Sequence, residues 1–218
     1  MLFFSTAQKA PSVGFRDALF MGQPEDGGLY MPEAIPECTM DNLAAWQHLS
    51  YADLAYTVSR LWIGDAIPDA ILRDVATKAY DWPLPVRKLP DHIFIAELWH
   101  GPTLAFKDFA ARWLGYLVGA IKGDAPLTVL VATSGDTGSA VAAGFYGIPG
   151  VRVVVLYTSG RVSALQEQQL TTFGGNVTAV EVRGTFDDCQ RLVKQAFADA
   201  TLRTRVQLVS ANSINIGR

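Results

Sequence analysis

A lysine set among apolar residues is the first candidate for chemistry in the sequence. Lys107 lies in the segment Leu104-Ala105-Phe106-Lys107-Asp108-Phe109-Ala110. Burial disfavours the charged form of a lysine, and a neutral amine is the nucleophile that forms a Schiff base with a carbonyl group. The alternative is a lysine whose aliphatic chain covers apolar surface while its ammonium group stays in water. The adjacent Asp108 favours that alternative, because a neighbouring carboxylate stabilises the charged amine.

A turn rich in hydroxyl groups and glycine is the second candidate. Thr133-Ser134-Gly135-Asp136-Thr137-Gly138 follows an apolar run and precedes a helical pattern. Glycine lets the backbone approach a ligand closely, free N–H groups at a helix start favour an anion, and hydroxyl groups bind phosphate or carboxylate oxygens. The alternative is an ordinary helix cap. The turn has neither the GxxxxGK[ST] nor the GxGxxG spacing, so it does not match the common nucleotide-binding loops.

The last nine residues are the third candidate. The segment Ser210-Ala211-Asn212-Ser213-Ile214-Asn215-Ile216-Gly217-Arg218 offers amides, hydroxyl groups and a guanidinium, which suit a phosphate group. The alternative is a loop that opens a helix. Because the sequence stops where that helix would begin, we expect these residues to be part of a longer protein.

The elements that must position these groups alternate between strands and helices from about residue 92. The pattern predicts strands at 93–98, 127–132, 151–157, 177–182 and 206–209, and helices at 108–121, 137–146, 163–173 and 185–200. The strands are rich in Val, Leu and Ile without polar alternation, as in parallel sheets that helices cover on both faces. We therefore predict an open, mostly parallel, doubly wound α/β sheet, with ligands at the carboxyl ends of its strands.

The residues before this region have a different pattern. Helices are predicted at 41–48, at 51–63 between a Ser50 cap and Gly64, and from Pro68 to about Tyr80. Residues 82–85 cannot continue the last helix because they contain two prolines. The sequence thus predicts a helical amino-terminal domain over residues 1–85 and an α/β domain over 86–218.

Composition excludes several classes of protein. The 218 residues have a formal net charge of −3 and no block of basic residues, which gives no support for binding nucleic acid or an anionic membrane. The distant Cys38 and Cys189 and three scattered histidines predict free thiols and no metal site. No signal peptide is recognisable, so we expect a cytoplasmic protein.

The candidate segments occur together in an order that resembles the threonine synthase family of fold-type II pyridoxal-phosphate enzymes. The resemblance covers most of the chain, and its motifs are DGGLYMP at 26–32, ELWHGPTLAFKD at 97–108, SGDTG at 134–138, GRVS at 160–163 with Gln166 and Gln169, GGN at 174–176, GTFDDCQ at 184–190 and NSIN at 212–215. The resemblance implies an α/β fold whose second domain is incomplete in this chain.

The same resemblance implies a role for each candidate residue. Lys107 would hold pyridoxal 5'-phosphate covalently, with Phe106 and Asp136 also beside the cofactor. Ser134, Gly135 and Asp136 would bind the substrate carboxylate, and Asp136 stands where many fold-type II relatives have Asn. The substrate phosphate would be recognised by Thr133, Thr137, Asn212, Ser213 and Arg218. His100 belongs to the motif, and a structural hydrogen bond is the role we expect for it.

The implied reaction converts O-phospho-L-homoserine and water to L-threonine and phosphate. Family members are longer, and the remaining part supplies a glycine-rich loop for the cofactor phosphate, so we expect these residues alone to be inactive. We also expect an exposed apolar wall of the cleft to favour self-association. Alternatives are a catalytically silent domain that binds a phosphorylated ligand or a partner protein, another pyridoxal-phosphate lyase such as a dehydratase, and a nucleotide-binding domain.

Overall fold

The first 80 residues combine four helices with a small antiparallel sheet. The computed structural model describes residues 1–218, and the elements of this part are β1 (Leu2–Ser5), β2 (Val13–Gly14), α1 (Phe15–Met21), β3 (Tyr30–Pro32), α2 (Met40–Trp46), α3 (Tyr51–Ile63) and α4 (Asp69–Ala79). The strand order is β2-β1-β3. Phe3 and Ser5 are buried while their neighbours Leu2 and Phe4 are exposed, which is the two-residue period of a strand.

The three helices predicted in this part are confirmed. The Ser50 hydroxyl accepts a hydrogen bond from the Asp53 N–H and caps α3, which ends at Gly64 with φ of 56°. Pro68 is the cap of α4 rather than part of its first turn. The sequence patterns did not predict α1 or the three strands. The strands have two to four residues and α1 has seven, which is too short to show a clear period.

A two-stranded hairpin follows, and here one prediction is wrong. Strands β4 (Val86–Lys88) and β5 (Phe94–Ala96) pair antiparallel with each other and with no other strand. The strand predicted at 93–98 is present at 94–96, but its predicted place in the parallel sheet is wrong. Asp91 and His92 both have φ of 59°, and this tight reversal returns the chain beside β4. A tight turn joins antiparallel strands, whereas a parallel neighbour needs a long crossover.

The remaining residues form the predicted α/β unit. Its elements are α5 (Lys107–Ile121), β6 (Leu127–Thr133), α6 (Asp136–Phe145), β7 (Val151–Thr158), α7 (Ala164–Thr171), β8 (Val177–Val182), α8 (Phe186–Ala198), α9 (Ala200–Arg205) and β9 (Gln207–Ser210). The four strands are all parallel, in the order β8-β7-β6-β9. The predicted helix at 185–200 is confirmed as α8, and the short helix α9 that follows was not predicted. Asp199 between them is extended and caps α9.

Alternate residues of β6 pack on opposite faces of this sheet. Val129 and Val131 belong to the main core, which includes buried residues of α5, α6 and α7. Leu130 and Ala132 belong to a smaller core with Cys189 and residues of α8. Helices therefore cover both faces, as the apolar strand sequences predict. The longest helix, α5, has 15 residues, and no helix has the length and apolar composition of a transmembrane segment.

Helices α5 and α6 cross in close contact through two glycines. A Cβ atom at Gly115 of α5 would overlap the carbonyl oxygen of Gly144. A Cβ atom at Gly144 of α6 would in turn lie 2.6 Å from the carbonyl oxygen of Ala111. The two helices can approach this closely only because neither position carries a side chain. Their amino-terminal residues, Lys107 and Asp136, begin the two helices of the candidate site.

Candidate active site

The topology brings two of the three candidate segments to one edge of the parallel sheet. Strand β6 ends at Thr133 and leads into the turn before α6, and β9 ends at Ser210 before the last residues of the chain. The two strands are hydrogen-bonded neighbours, with Leu130 opposite Ser210. The carboxyl ends of neighbouring parallel strands are the usual place for ligands in such sheets.

The amine of Lys107 faces the turn at the end of β6. Its Nζ atom lies 3.5 Å from Oδ2 of Asp136 and 4.4 Å from the centroid of the Phe106 ring. The Lys107 side chain is 23% exposed, so it is sheltered but still reachable. The structure thus brings together Lys107, Phe106 and Asp136, the three residues assigned from sequence to the cofactor.

The carboxylate that contacts Lys107 is that of Asp136 and not that of the adjacent Asp108. Asp108 is fully buried and accepts hydrogen bonds from the Thr103 N–H at 2.8 Å and the Thr103 hydroxyl at 2.6 Å. Successive helical residues point about 100° apart, so two neighbours in sequence face different surroundings. Asp108 therefore faces Thr103 and not the Lys107 amine, and the expectation from sequence that Asp108 would hold this lysine charged is wrong.

The turn from Thr133 to Gly138 is held by one hydroxyl group. The Thr133 hydroxyl donates to the carbonyl of Gly135 at 2.9 Å and accepts from the N–H groups of Gly135 at 3.0 Å and Gly138 at 2.8 Å. Thr133 is 1% exposed. Its predicted contact with a substrate phosphate remains a prediction, and its observed contacts hold the turn in shape.

Three backbone N–H groups of this turn are available to a ligand. Those of Ser134, Asp136 and Thr137 donate no hydrogen bond within the chain. Gly135 has φ of 147°, a left-handed conformation that favours glycine, and it leads directly into α6. Free N–H groups at the start of a helix bind anions. This arrangement suits a carboxylate or a phosphate oxygen.

The last residues of the chain are held mainly by Asn215, which was not among the predicted site residues. The buried Asn215 amide donates to the carbonyls of Leu19 and Ser210, both at 2.9 Å. Ser213 is exposed, and Oδ1 of Asn212 is a buried oxygen with no hydrogen-bond partner. Arg218 donates to the carbonyl of Ala211 at 2.9 Å, and burial lowers its pKa. A role of these residues in phosphate binding remains a prediction.

The expected structural hydrogen bond of His100 is present. Nε2 of His100 lies 2.6 Å from a carboxylate oxygen of Glu97, whose other oxygen accepts from Arg87 on β4. Glu97 is buried, and the His100 hydrogen bond, followed by that of Arg87, lowers the pKa of its carboxyl group. The loop before Lys107 is thereby attached to the hairpin.

Gln166, which was not among the predicted site residues, also reaches the turn. Its amide Nε2 donates to Oδ1 of Asp136 at 2.6 Å. The signal was present in the sequence, since Ser163 and Gln166 have the spacing of a capping box, which places the glutamine at the start of a helix. What the spacing does not show is that the start of α7 lies over the turn after β6.

Comparisons with known proteins agree with this arrangement. The family described as "Pyridoxal-phosphate dependent enzyme" matches residues 77–216, and the family described as "Threonine synthase N terminus" matches residues 2–80. The threonine synthases of Escherichia coli (strain K12) and Serratia marcescens are each 42% identical to the chain over its whole length. The chain spans about half the length of these curated relatives, 51% of each.

Solved structures show the same similarity. The crystal structure of threonine synthase from Escherichia coli matches with a TM-score of 0.92 at 42% identity, over 100% of this chain and 51% of that one. Threonine synthase from Brucella melitensis, solved with bound pyridoxal phosphate, matches with a TM-score of 0.91 at 37% identity, over 100% of this chain and 48% of that one.

The resemblance predicted from sequence is therefore confirmed. Threonine synthases match the chain along its full length in both sequence and structure. The pyridoxal-phosphate match alone covers more than half of the residues and includes Lys107, the turn after β6 and the last strand. The chain belongs to the pyridoxal-phosphate-dependent enzyme family.

Proposed function

We propose that the protein containing this chain is a threonine synthase, which converts O-phospho-L-homoserine and water to L-threonine and phosphate. The observation that carries the proposal is the position of the Lys107 amine, 3.5 Å from Asp136 on the turn after β6. The same turn carries the free N–H groups of Ser134, Asp136 and Thr137. Similarity to threonine synthases over the whole of this chain supports this choice among pyridoxal-phosphate reactions.

The residues of this site fit pyridoxal phosphate. The cofactor needs a lysine amine that is sheltered and reachable, and the Lys107 side chain, 23% exposed and packed on the Phe106 ring, meets both conditions. When bound, pyridoxal phosphate supplies an electron sink for negative charge that develops on the substrate. Lys107 would hold the cofactor and, once released from it, move the protons at Cα and Cβ of the substrate.

The turn and the end of the chain would position the substrate. Ser134, Gly135 and Asp136 would bind the substrate carboxylate. The free N–H groups of Ser134 and Asp136 at the helix start support this, and Gly135, whose own N–H donates to Thr133, lets the backbone approach the ligand. Thr133, Thr137, Asn212, Ser213 and Arg218 are proposed to recognise the phosphate that leaves. Asp136 would face the cofactor with a negative charge, where a neutral Asn stands in many fold-type II relatives.

The first test is chemical fixation of the cofactor. The gene product that contains these residues is loaded with pyridoxal phosphate, reduced with borohydride and digested, and the modified peptide is identified by mass spectrometry. We expect the pyridoxyl group on Lys107 and its loss in Lys107→Ala. Lys122→Ala is the matched control, because Lys122 lies at the other end of α5 and donates only to backbone carbonyls. Modification of other lysines without Lys107 would contradict the proposal.

The second test separates threonine synthase from related lyases. Release of phosphate from O-phospho-L-homoserine is compared with formation of a keto acid from L-serine or L-threonine. We expect turnover of the phosphorylated substrate and little reaction of the others. The reverse preference would identify a dehydratase. No comparison supports a catalytically silent domain.

We also propose a cytoplasmic location and self-association of the isolated chain. Cys38 and Cys189 are both unpaired, and free thiols are typical of reducing compartments. Large exposed apolar side chains are concentrated between residues 86 and 106, next to the site. Such surfaces favour association between proteins.

A further inference from the structure

Gln166 has contacts in two directions, and these fix the orientation of its amide. Its Oε1 accepts from the N–H and the hydroxyl of Ser163, each at 3.2 Å. Its Nε2 donates to Oδ1 of Asp136 at 2.6 Å. A backbone N–H can only donate and an ionised carboxylate can only accept, so the amide cannot be turned the other way without losing contacts on both sides.

This contact leaves the second oxygen of Asp136 for Lys107. Oδ1 of Asp136 is bonded to Gln166, and Oδ2 lies 3.5 Å from Nζ of Lys107. The Asp136 side chain is 48% exposed, so without Gln166 the carboxylate could rotate away from the amine into water. A neutral amide donor holds a carboxylate in place without neutralising its charge.

The turn has the shape needed to receive Gln166. A Cβ atom at Gly135 would lie between 2.6 and 2.8 Å from three atoms of the Gln166 amide, so the amide rests directly on the glycine. The next turn of α7 is equally close to α6, because a Cβ atom at Gly138 would lie 2.8 Å from the side chain of the buried Leu170. Helix α7 therefore packs against this region at two points, through the polar Gln166 on Gly135 and through the apolar Leu170 on Gly138.

We propose that Gln166 is a positioning residue of the active site, which holds the Asp136 carboxylate against Lys107. The proposal rests on the proposed function in one respect, namely that Lys107 is the lysine that holds the cofactor. It adds a residue on a third helix to a site otherwise built from the starts of α5 and α6.

The test measures the reactivity of the Lys107 amine without the cofactor. The gene product that contains this chain is treated with limiting acetic anhydride, and acetylation of Lys107 is divided by that of Lys122 in the same molecules. Lys122 is the internal reference because its amine donates only to the carbonyls of Gly123 and Ala125. An amine held in an ion pair is less available to the reagent than an unpaired one.

We expect Gln166→Met to raise this ratio by roughly two- to fivefold, the range of a partly exposed ion pair. Gln168→Met is the matched control, because Gln168 lies on the exposed side of the same helix and its side chain makes no hydrogen bond. Ser163→Ala removes the hydroxyl group that caps α7 and keeps the Gln166 side chain that contacts Asp136. The acetylation ratio of this variant should therefore stay near that of the unchanged protein.

An unchanged ratio in Gln166→Met would overturn the proposal and leave Gln166 as a cap of α7. An equal rise in Ser163→Ala and Gln166→Met would overturn it as well, since the effect would then follow the loss of the cap. If Gln166→Met does not fold, Gln166→Asn replaces it, because the shorter amide cannot reach both Ser163 and Asp136. Since no cofactor is present, this result is independent of borohydride fixation on Lys107, which tests the proposed function.

Discussion

Asp108 and Thr103 are joined by two hydrogen bonds, at 2.8 Å from the Thr103 N–H and 2.6 Å from its hydroxyl group. Asp108 follows Lys107 directly, and Thr103 lies in the loop that leads to it. The pair therefore fixes the backbone where the chain passes from the loop into α5. Since both residues are buried, these donors have no water to replace the carboxylate.

We expect Asp108→Ala to lower the free energy of unfolding by about 1–3 kcal/mol, because it leaves two buried donors of Thr103 without an acceptor. Urea denaturation followed by circular dichroism measures this change. Asp124→Ala is the control, since Asp124 is exposed and makes no side-chain hydrogen bond. Equal stability of the two variants would show that the pair does not stabilise the fold.

Gly101 is expected to tolerate no side chain. A Cβ atom there would lie 2.5 Å from Oδ2 and 2.8 Å from Cβ of Asp108. Gly101→Ala should therefore destabilise the protein by about 1–3 kcal/mol, the usual cost of overpacking. The control is Gly14→Ala, where φ is −71° and no atom lies within 4 Å of the added Cβ. Thermal unfolding that shifts equally in the two variants would contradict the prediction.

Ionisation of Asp26 makes the stability of the amino-terminal part depend on pH in acid solution. Its carboxylate accepts hydrogen bonds from the Ser5 hydroxyl and from three backbone N–H groups, with the Ser5 bond the largest cause, and these lower its pKa from 3.8 to about 2. A carboxyl group with a lowered pKa in the folded state stabilises that state above its ordinary pKa. This stabilisation is lost as the pH falls from about 4 to about 2.

The prediction concerns the difference in unfolding free energy between the unchanged protein and Asp26→Asn. This difference should be constant above about pH 5 and should shrink as the pH falls below about 4. Urea denaturation over this range, with Asp124→Asn as the control, measures it. A difference that does not change with pH would mean that packing, and not ionisation, makes Asp26 stabilising.

The strand ends and the turn after β6 could be predicted from sequence because each depends on local pattern. The Val-rich runs define β6, β7 and β8 within one residue at each end, and the glycine and hydroxyl groups after β6 mark the turn. Other features depend on which partner a side chain or strand contacts. No local pattern shows that Asp108 turns toward Thr103, that Gln166 reaches Asp136 across 30 positions, or that the strand at 94–96 pairs with the chain six to ten residues earlier.

The hairpin of β4 and β5 predicts self-association of the isolated chain. Phe94 is 60% exposed and Ile95 is 41% exposed, so apolar side chains point outward on both faces. Sedimentation velocity of the 218-residue chain should show species larger than a monomer, and Phe94→Ser with Ile95→Ser should reduce them. Leu165→Ser is the control, as an equally exposed apolar residue on α7. A purely monomeric chain would contradict the prediction.

The glycine contact between α5 and α6 has a consequence for how mutations far from the site would act. Lys107 begins α5 and Asp136 begins α6, while Gly115 and Gly144 lie two turns farther along each helix. A methyl group at either glycine would push the helix axes apart, and because helices move as stiff rods, their first residues would separate too. The distance between the Lys107 amine and the Asp136 carboxylate thus depends partly on two positions that have no side chain, and substitutions there would change it through the backbone alone.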